Sequence, residues 1–277
     1  MREKGGGKPY APAMAGSAGS IFRWDAAAAT HRGRVRRRNE DSFLTRPERR
    51  LYAVADGMGG HAAGNVASAL AVATLDAAIP RAPSPRIGAA TMSKRLRAAV
   101  DAANAAVLQR AAARPSEAGM GTTLTVLSPL VALNACVIAH VGDSRAYRYR
   151  AQAAGLATAA AQRLTQLTRD HTWVQQQVDA GALTAAQARV HPKSNMLTRV
   201  IGMDDVGRAD VVVSDVLAGD VFLLCTDGLT GMLTDPEIEA ILARATELQS
   251  TCDELVDAAN AAGGRDNVTV VLIRAFL

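Results

Sequence analysis

LYAVADGMGG, residues 51–60, is an apolar run with an acidic residue at one end, and the same pattern recurs three more times along the chain. CVIAHVGDSR spans residues 136–145, VFLLCTDGL spans residues 221–229 and GGRDNVTVVLI spans residues 263–273. A short apolar run bounded by turn residues is typical of a buried strand. Each run therefore places one carboxylate at the rim of a sheet. The four carboxylates, in chain order, are those of Asp56, Asp143, Asp227 and Asp266.

These four carboxylates have two interpretations. Asp-Gly and Asp-Asn pairs commonly form turns, which accounts for each carboxylate taken singly. Carboxylates gathered at one rim, however, repel one another unless cations neutralise them, and hard divalent cations prefer oxygen ligands. The four together predict a metal site, while the turn interpretation stays open for each one.

The length and composition fit one large domain. The chain has 277 residues, of which 49% are hydrophobic and only 4% aromatic, so we expect a sizeable aliphatic core. The candidate metal residues run from Asp56 to Asp266, and a domain boundary between them would separate ligands that must meet. We expect residues 1–20 to form a disordered tail ahead of this domain.

The cysteines and the hydropathy predict a cytoplasmic protein. Cys136, Cys225 and Cys252 are odd in number and widely spaced, so neither a disulfide framework nor a zinc site is indicated. The N-terminus lacks the continuous apolar stretch of a signal peptide, and no stretch approaches the ~18 apolar residues needed to cross a bilayer. We expect no membrane association.

Five of the seven residues from Arg32 to Arg38 are arginines, and the formal net charge of the chain is +5. Such a cluster raises the hypothesis of a nucleic-acid-binding surface. Its surroundings contain no nucleic-acid-binding motif and few aromatic residues for stacking on bases. We therefore expect no nucleic-acid partner.

Hydrophobic periodicity divides the chain into blocks of strands and pairs of helices. Two strand-like runs flank the arginine cluster, and helical spacing follows over residues 62–79 and again around residues 96–107. Later strands are predicted at residues 211–213, 221–225 and 267–276, and later helices at residues 236–246 and 251–262. This order favours two sheets covered by helices over an alternating parallel fold.

The middle of the chain changes its period. GTTLTVLS, ALNACVIAHVGD and AYRYR have short connections and predict three consecutive strands of an antiparallel meander. Residues 151–163 are expected to be an insertion loop. The polar, weakly helical stretch that follows, residues 164–202, is expected to be a mobile excursion outside the core.

Eight segments, in order, carry a resemblance to a known family. They are RGRVRRRNEDSF, LYAVADGMGGHAAG, GTTLTV, AHVGDSRAYRYR, LTRDHT, LTRVIG, DVFLLCTDGL and GGRDNVTVVLI. The chain resembles the metal-dependent protein phosphatases of type 2C, in their compact bacterial form, over residues 21–277. The resemblance implies an α+β fold: a four-layer αββα sandwich in which two central antiparallel β-sheets are flanked by helix pairs. A flap subdomain is expected at about residues 170–195.

The resemblance also implies a ligand set for Mn²⁺ or Mg²⁺. Asp56 matches the carboxylate that bridges two cations, and Gly57 matches the residue whose backbone carbonyl completes the second cation site. Asp227 and Asp266 match the remaining ligands of the first cation. Asp143, together with Asp227, matches the pair that holds a third and weaker cation in bacterial members, although its position also fits a turn cap.

Three residues ahead of the first apolar run match the family as well. Arg36, five residues before Asp41, has the spacing of the family's phosphate-binding arginine. A planar guanidinium can hold two phosphoryl oxygens at once, which suits that role. Glu40 and Asp41 match the acidic pair that orders metal-bound water. Both also fit solvated loop acids, and Asp41 is the better candidate for a catalytic role.

The reaction implied is hydrolysis of phosphoserine or phosphothreonine by a water that bridges two divalent cations. Two such cations, ~3.5–4 Å apart, lower the pKa of that water and stabilise charge on the phosphoryl oxygens. Met58 stands where animal members have the histidine favoured as general acid, so the proton donor is open. His61 is a displaced candidate for that role, with packing or capping of the next helix as the alternative.

The partners implied are phosphorylated proteins and a cognate Ser/Thr kinase, with the phosphatase acting as a monomer. Two other functions remain to be weighed. A pseudophosphatase would keep the fold as a binding module, and a phosphatase of the same clan would act on a non-protein phosphoester. All the predicted metal carboxylates are present, which favours an active enzyme.

Overall fold

The computed structural model describes residues 22–59, 63–80, 84–151, 163–204, 206 and 208–277. The tail predicted at residues 1–20, most of the insertion loop predicted at residues 151–163, and His61 lie outside these ranges. Within them, two antiparallel sheets stack face to face and carry helices on both outer faces. The predicted α+β sandwich of four layers is confirmed.

The first sheet has five strands. Its order is β1 (Arg23–His31), β11 (Val268–Phe276), β10 (Val221–Cys225), β7 (Arg145–Tyr149) and β8 (Leu164–Gln166). β1 pairs with β11 along its full length. Because β11 also pairs with β10, the last strand of the described chain lies inside the sheet and not at its edge.

The second sheet holds the strands between the arginine cluster and the flap. Its order is β2 (Asp41–Arg46), β3 (Leu51–Met58), β5 (Leu124–Leu130), β6 (Ala135–Val141) and β9 (Asp210–Asp215), and β4 (Gly121–Thr122) pairs with the end of β3. The antiparallel register of β2 and β3 places Asp41 directly opposite Asp56. Two predicted site residues are thereby fixed as cross-strand neighbours.

The helices form the outer layers. α1 (Gly64–Ala78) and α2 (Ala89–Ala113) cover the second sheet, and α6 (Asp235–Ala243) and α7 (Leu248–Ala261) cover the first. A short helix, α5 (Asp227–Thr230), follows β10 directly. No helix in the described ranges is both long and apolar enough to cross a membrane.

Three separate hydrophobic clusters hold the four layers together. Side chains on successive strand residues point to opposite faces, so Ala53 and Ala55 pack under α1 and α2 while Tyr52 and Val54 pack between the sheets. β10 and β11 alternate in the same way between the central cluster and the α6–α7 cluster. Burial of both faces explains why these strands read as continuous apolar runs.

The predicted meander is correct for two strands and wrong for the third. β5 and β6 are antiparallel neighbours, but β7 pairs with β10 and β8 in the other sheet. The far edge of β6 is occupied by β9, so the chain crosses between the sheets after Val141. Gly142 makes this crossing with a backbone φ of +111°, a conformation that favours glycine. Asp143 lies on the crossing loop.

The segment predicted as a flap contains two short helices, α3 (Trp173–Asp179) and α4 (Ala185–Arg189). The Thr172 hydroxyl caps α3, and Thr184 forms a capping box with Gln187 at the start of α4. In these two helices only Val174 and Ala188 are buried. The weak helical character is confirmed, whereas the mobility of the segment stays a prediction.

Candidate metal centre

A cavity of about 420 Å³ opens at one end of the sandwich, where β3, β6 and β10 finish and β11 begins. It gathers residues from both sheets that are far apart in sequence. The predicted site residues that line it are Arg36, Glu40, Asp56, Gly57, Asp143, Asp227 and Asp266. Asp41 does not line this cavity, and His61 lies outside the described ranges.

Asp41 is held by the opposite sheet. Its Oδ2 atom accepts hydrogen bonds from the Thr226 hydroxyl at 2.8 Å and from the Thr269 hydroxyl at 2.7 Å. Its Oδ1 atom is buried and has no hydrogen-bond partner. Burial raises the pKa of the Asp41 carboxyl to about 7, against the opposing effect of the two threonine hydrogen bonds. The second oxygen of Asp41 is therefore free to accept a further hydrogen bond.

The backbone of Asp56 is fixed by the side chains of Thr122 and Thr123. The Asp56 amide donates to the Thr123 hydroxyl at 2.9 Å, and the Asp56 carbonyl accepts from the Thr122 hydroxyl at 2.8 Å. The Thr123 hydroxyl also lies 2.6 Å from the hydroxyl of Ser144, the residue after Asp143. One pair of threonines thus ties the Asp56 strand to the Asp143 loop.

Gly57 occupies a position that admits no side chain. A Cβ atom added there would lie 2.2 Å from the Gly64 carbonyl oxygen and 2.5 Å from the Glu40 carbonyl oxygen. The Gly57 amide donates to that same Glu40 oxygen at 3.2 Å. Glycine is therefore required by the close approach of three backbone segments.

Asp227 and Asp266 come from the first sheet. Asp227 is the first residue of α5, immediately after β10, and its Oδ1 atom is buried without a hydrogen-bond partner. Asp266 precedes β11, and its Oδ2 atom accepts a hydrogen bond from the Arg36 guanidinium at 2.6 Å. The predicted phosphate-binding arginine is thereby held against the carboxylate rim.

Three of the rim carboxylates, Asp56, Asp143 and Asp227, have raised pKa values. Burial raises the pKa of Asp56 and of Asp143 well above the usual range, and repulsion from Asp227 adds to both shifts. The pKa of Asp227 is raised by burial and by the charge of Asp266. Desolvation and like charges both disfavour the ionised forms. A divalent cation among these groups would remove that repulsion.

Comparisons with known proteins identify the family. The family model described as protein phosphatase 2C matches residues 29–269. This chain belongs to the protein phosphatase 2C family. The serine/threonine phosphatase Stp of Listeria monocytogenes is 36% identical over 247 residues, which cover 88% of this chain and 93% of Stp. The serine/threonine protein phosphatase PstP of Mycobacterium tuberculosis is 39% identical over 246 residues, which cover 89% of this chain but only 44% of PstP.

The fold comparison agrees with the family assignment. The crystal structure of the catalytic domain of PstP in complex with two manganese ions matches with a TM-score of 0.79 and 36% identity. The match covers 92% of this chain and 100% of that domain. The sandwich described above is therefore the phosphatase 2C fold.

The residues at the phosphatase 2C rim fit divalent cations. The candidate carboxylates offer hard oxygen donors, and the buried Oδ1 atoms of Asp41 and Asp227 lack partners, which leaves oxygens available to an ion or its waters. As they stand, no three Asp, Glu, His or Cys side chains of the described residues form a ready cage.

Sequence reasoning missed the residues that position this phosphatase site. The side-chain NH₂ of Asn267 donates to the backbone carbonyls of Arg32 and Arg38, and the side-chain oxygen of Asn267 accepts from the backbone amide of Glu40. The hydroxyls of Thr226 and Thr269 hold Asp41, as described above. The only local signal was that polar residues stand near two of the rim aspartates, in TDG (residues 226–228) and DNVT (residues 266–269), and it does not show which partners they contact.

Proposed function

We propose that this chain is a metal-dependent protein phosphatase that hydrolyses phosphoserine and phosphothreonine in proteins. The observation that carries the proposal is the convergence of the rim carboxylates on one cavity that also holds the Arg36 guanidinium. Carboxylates that repel one another suit cations, and a guanidinium suits phosphate. Both requirements of a metal-assisted phosphoester hydrolase are thus supported at one place.

The proposed ligands follow the predicted set. Asp56 would be shared by two cations, the Gly57 carbonyl would complete the second cation site, and Asp227 with Asp266 would complete the first. Asp143 with Asp227 would hold a third and weaker cation. The metals are Mn²⁺ or Mg²⁺, in keeping with the two manganese ions in the PstP structure.

When bound, two divalent cations lower the pKa of a coordinated water and stabilise the charge that develops on the phosphoryl oxygens. Arg36 orients the phosphate, since its fork of N–H donors matches two phosphoryl oxygens. Asp41 does not line the cavity but lies opposite Asp56 on the neighbouring strand, and its unpartnered Oδ1 would accept a hydrogen bond from water held by the cations. Glu40 lines the same cavity and supports this role through its backbone contacts to Gly57 and Asn267.

A covalent cysteine mechanism is disfavoured by the surroundings of Cys225. This thiol lies inside β10 and is completely buried, and burial raises its pKa to about 12. A cysteine nucleophile needs an accessible thiolate. Met58, which lines the cavity, has no proton to give, so the leaving oxygen takes its proton from water or from His61.

The biological setting is proposed from the chemistry of the chain. The substrates are phosphorylated proteins, and a cognate Ser/Thr kinase supplies them. The enzyme is proposed to act as a monomer. The cysteines of the described residues are free and buried, as is usual in a reducing cytoplasm. The proposed domain spans residues 21–277, with the flap at about residues 170–195.

Hydrolysis of a phosphothreonine peptide and of p-nitrophenyl phosphate tests the proposal. We expect turnover with Mn²⁺ or Mg²⁺ that is lost in excess EDTA and returns when Mn²⁺ is added back. Full activity after exhaustive chelation would contradict the metal mechanism. Metal-dependent turnover of the aryl phosphate, with none on a panel of phosphopeptides, would instead indicate a non-protein phosphoester as substrate.

A further inference from the structure

The loop of residues 32–38 is held in a fixed shape beside the metal centre. Its two ends are joined by the side chain of Asn267, whose NH₂ group donates to the backbone carbonyls of Arg32 at 2.9 Å and Arg38 at 2.8 Å. Its middle is joined to the opposite turn, where the Arg34 amide donates to the Gly264 carbonyl at 2.7 Å. A single side chain and a single carbonyl therefore fix a loop that holds five arginines.

The approach of this loop to the turn before β11 is close. A Cβ atom on Gly33 would lie 2.2 Å from the Asp266 carbonyl oxygen, and Gly33 has a φ of +77°. The aliphatic stem of Arg34 packs so near Gly264 that a Cβ there would meet it at 3.0 Å. The loop cannot spread away from the turn without breaking these contacts.

Only one of the loop's arginine side chains has an acidic partner in the described part of the chain. Arg36 pairs with Asp266, whereas four exposed neighbours make no side-chain hydrogen bond or ion pair there. We call these four the arginine rim: Arg34, Arg37 and Arg38 of the loop, and Arg265 of the facing turn. Arg265 also lines the second cavity, which opens beside the metal centre under the flap.

These four exposed cations have no acidic partner in the described residues, and the loop that carries three of them is fixed beside Arg36, so each is available to attract an anion. The arrangement is therefore suited to an anionic ligand larger than one phosphate. We propose that the arginine rim binds carboxylate side chains that flank the phosphorylated residue, so that the enzyme prefers acidic phosphopeptides. This inference rests on the proposed phosphatase function and names the substrate class for that site.

Chain geometry sets which flanking positions are read. Arg37 and Arg38 follow Arg36 by one and two residues, at most about 7 Å along the backbone, and each adds a long side chain of its own. Carboxylates two to four residues from the phosphorylated residue come within reach of them. A nucleic acid fits less well, because residues 32–42 contain no aromatic side chain on which bases can stack.

The test compares three phosphothreonine peptides that differ only at the flanking positions, which carry Glu, Gln or Lys. We expect kcat/KM for the Glu peptide to exceed that for the Gln peptide by on the order of tenfold, since each exposed pair contributes modestly and several act together. The preference should shrink in high salt, which screens exposed charges. Equal rates on the Glu and Gln peptides at low salt would overturn the proposal.

The variant R34A/R37A/R38A removes three of the four side chains of the arginine rim. We expect it to lose the Glu preference while its kcat/KM on p-nitrophenyl phosphate stays within about twofold of the parent. The matched control is R86A/K94A/R95A, which removes three exposed cations from α2 and the loop before it, none of which lines either cavity. A Glu preference that survives in the rim variant would overturn the proposal, as would its equal loss in the control.

A charge-reversal variant keeps the test decisive if the triple variant is unstable. R37E/R38E leaves both backbone carbonyls in place for Asn267 and should turn the preference toward the Lys peptide. An unchanged preference among the three peptides would overturn the proposal. It would also be overturned if the parent bound an oligonucleotide, the variant did not, and the rates on the peptides stayed the same. Failure of the parent protein to hydrolyse p-nitrophenyl phosphate would contradict the phosphatase function itself, and the two failures are therefore distinguishable.

Discussion

The carboxylate rim and the flap lie side by side at the same end of the molecule but are held by different kinds of contact. At the rim, Asp56 is fixed through its backbone and Asp41 by two buried hydroxyls. In the flap helices only Val174 and Ala188 are buried. The comparison predicts that the chemical step depends on the firmly held carboxylate rim, and that the flap, which has little buried area to oppose its movement, contributes to substrate choice beside the fixed arginine loop.

The largest effect is expected from Asp227→Ala. It removes a proposed metal ligand, and since loss of a residue that merely supports a ligand costs roughly 10–100-fold, we expect kcat on phosphopeptides to fall by more than about a hundredfold. Thermal melting should show that the fold persists. Asp253→Ala, an exposed acid on α7, is the control, and comparable losses in both variants would contradict the assignment.

Arg36→Ala tests whether one arginine of the loop differs from its neighbours. Hydrogen bonds to charged groups contribute about 1.5–3 kcal/mol, so we expect KM for a neutral phosphothreonine peptide to rise roughly tenfold or more. Arg38→Ala should change it by less than about twofold, because an exposed charge pair contributes little. A larger effect from Arg38 would show that the motif has been aligned in the wrong register.

Thr269→Val tests how far the fixed orientation of Asp41 matters for catalysis, without removing a proposed metal ligand. The change removes one of two hydroxyl donors to Asp41, and we expect kcat to fall roughly tenfold, within the range for supporting residues. Thr251→Val is the matched control, because this buried hydroxyl of α7 donates to the Glu247 carbonyl and does not contact Asp41. Equal losses would mean that packing, and not the orientation of Asp41, explains the result.

The smallest effect on small substrates is expected from the flap. Replacement of residues 174–190 by a short Gly-Ser linker should preserve folding and leave p-nitrophenyl phosphate hydrolysis within a fewfold of the parent. The preference among phosphoproteins should change, since α3 and α4 border the second cavity. Hydrogen exchange in α3 as slow as in β10 would contradict the comparison on which this expectation depends.

The sequence was sufficient to predict the strands that carry the rim because their two faces are both buried. Val221 to Cys225 alternate between two hydrophobic clusters, so the run has no polar position until the chain leaves the sheet at Thr226 and Asp227. A carboxylate that follows such a run is conspicuous. The same reasoning located β3 and β11, whose ends carry Asp56 and Asp266.

The sequence was insufficient where tertiary pairing decides the outcome. AYRYR has the same strand character whether β7 continues the β6 sheet or crosses to β10, and the Gly142 turn is equally short in both cases. Thr226 and Thr269 each suit a buried strand end, so nothing local shows that their hydroxyls meet Asp41 from across the sandwich. The unexpected helix α5 has only four residues, too few for a periodic signal.

The interior position of β11 determines when the site can exist during protein synthesis. β11 is made after every other described strand, yet it lies between β1 and β10 and begins next to Asp266, Asn267 and Thr269. A chain still on the ribosome that lacks this segment has no partner for β1, no hydroxyl from Thr269 for Asp41 and no clamp on the arginine loop. The contacts that fix Asp41 and the arginine loop therefore form only after residues 266–276 have been synthesised.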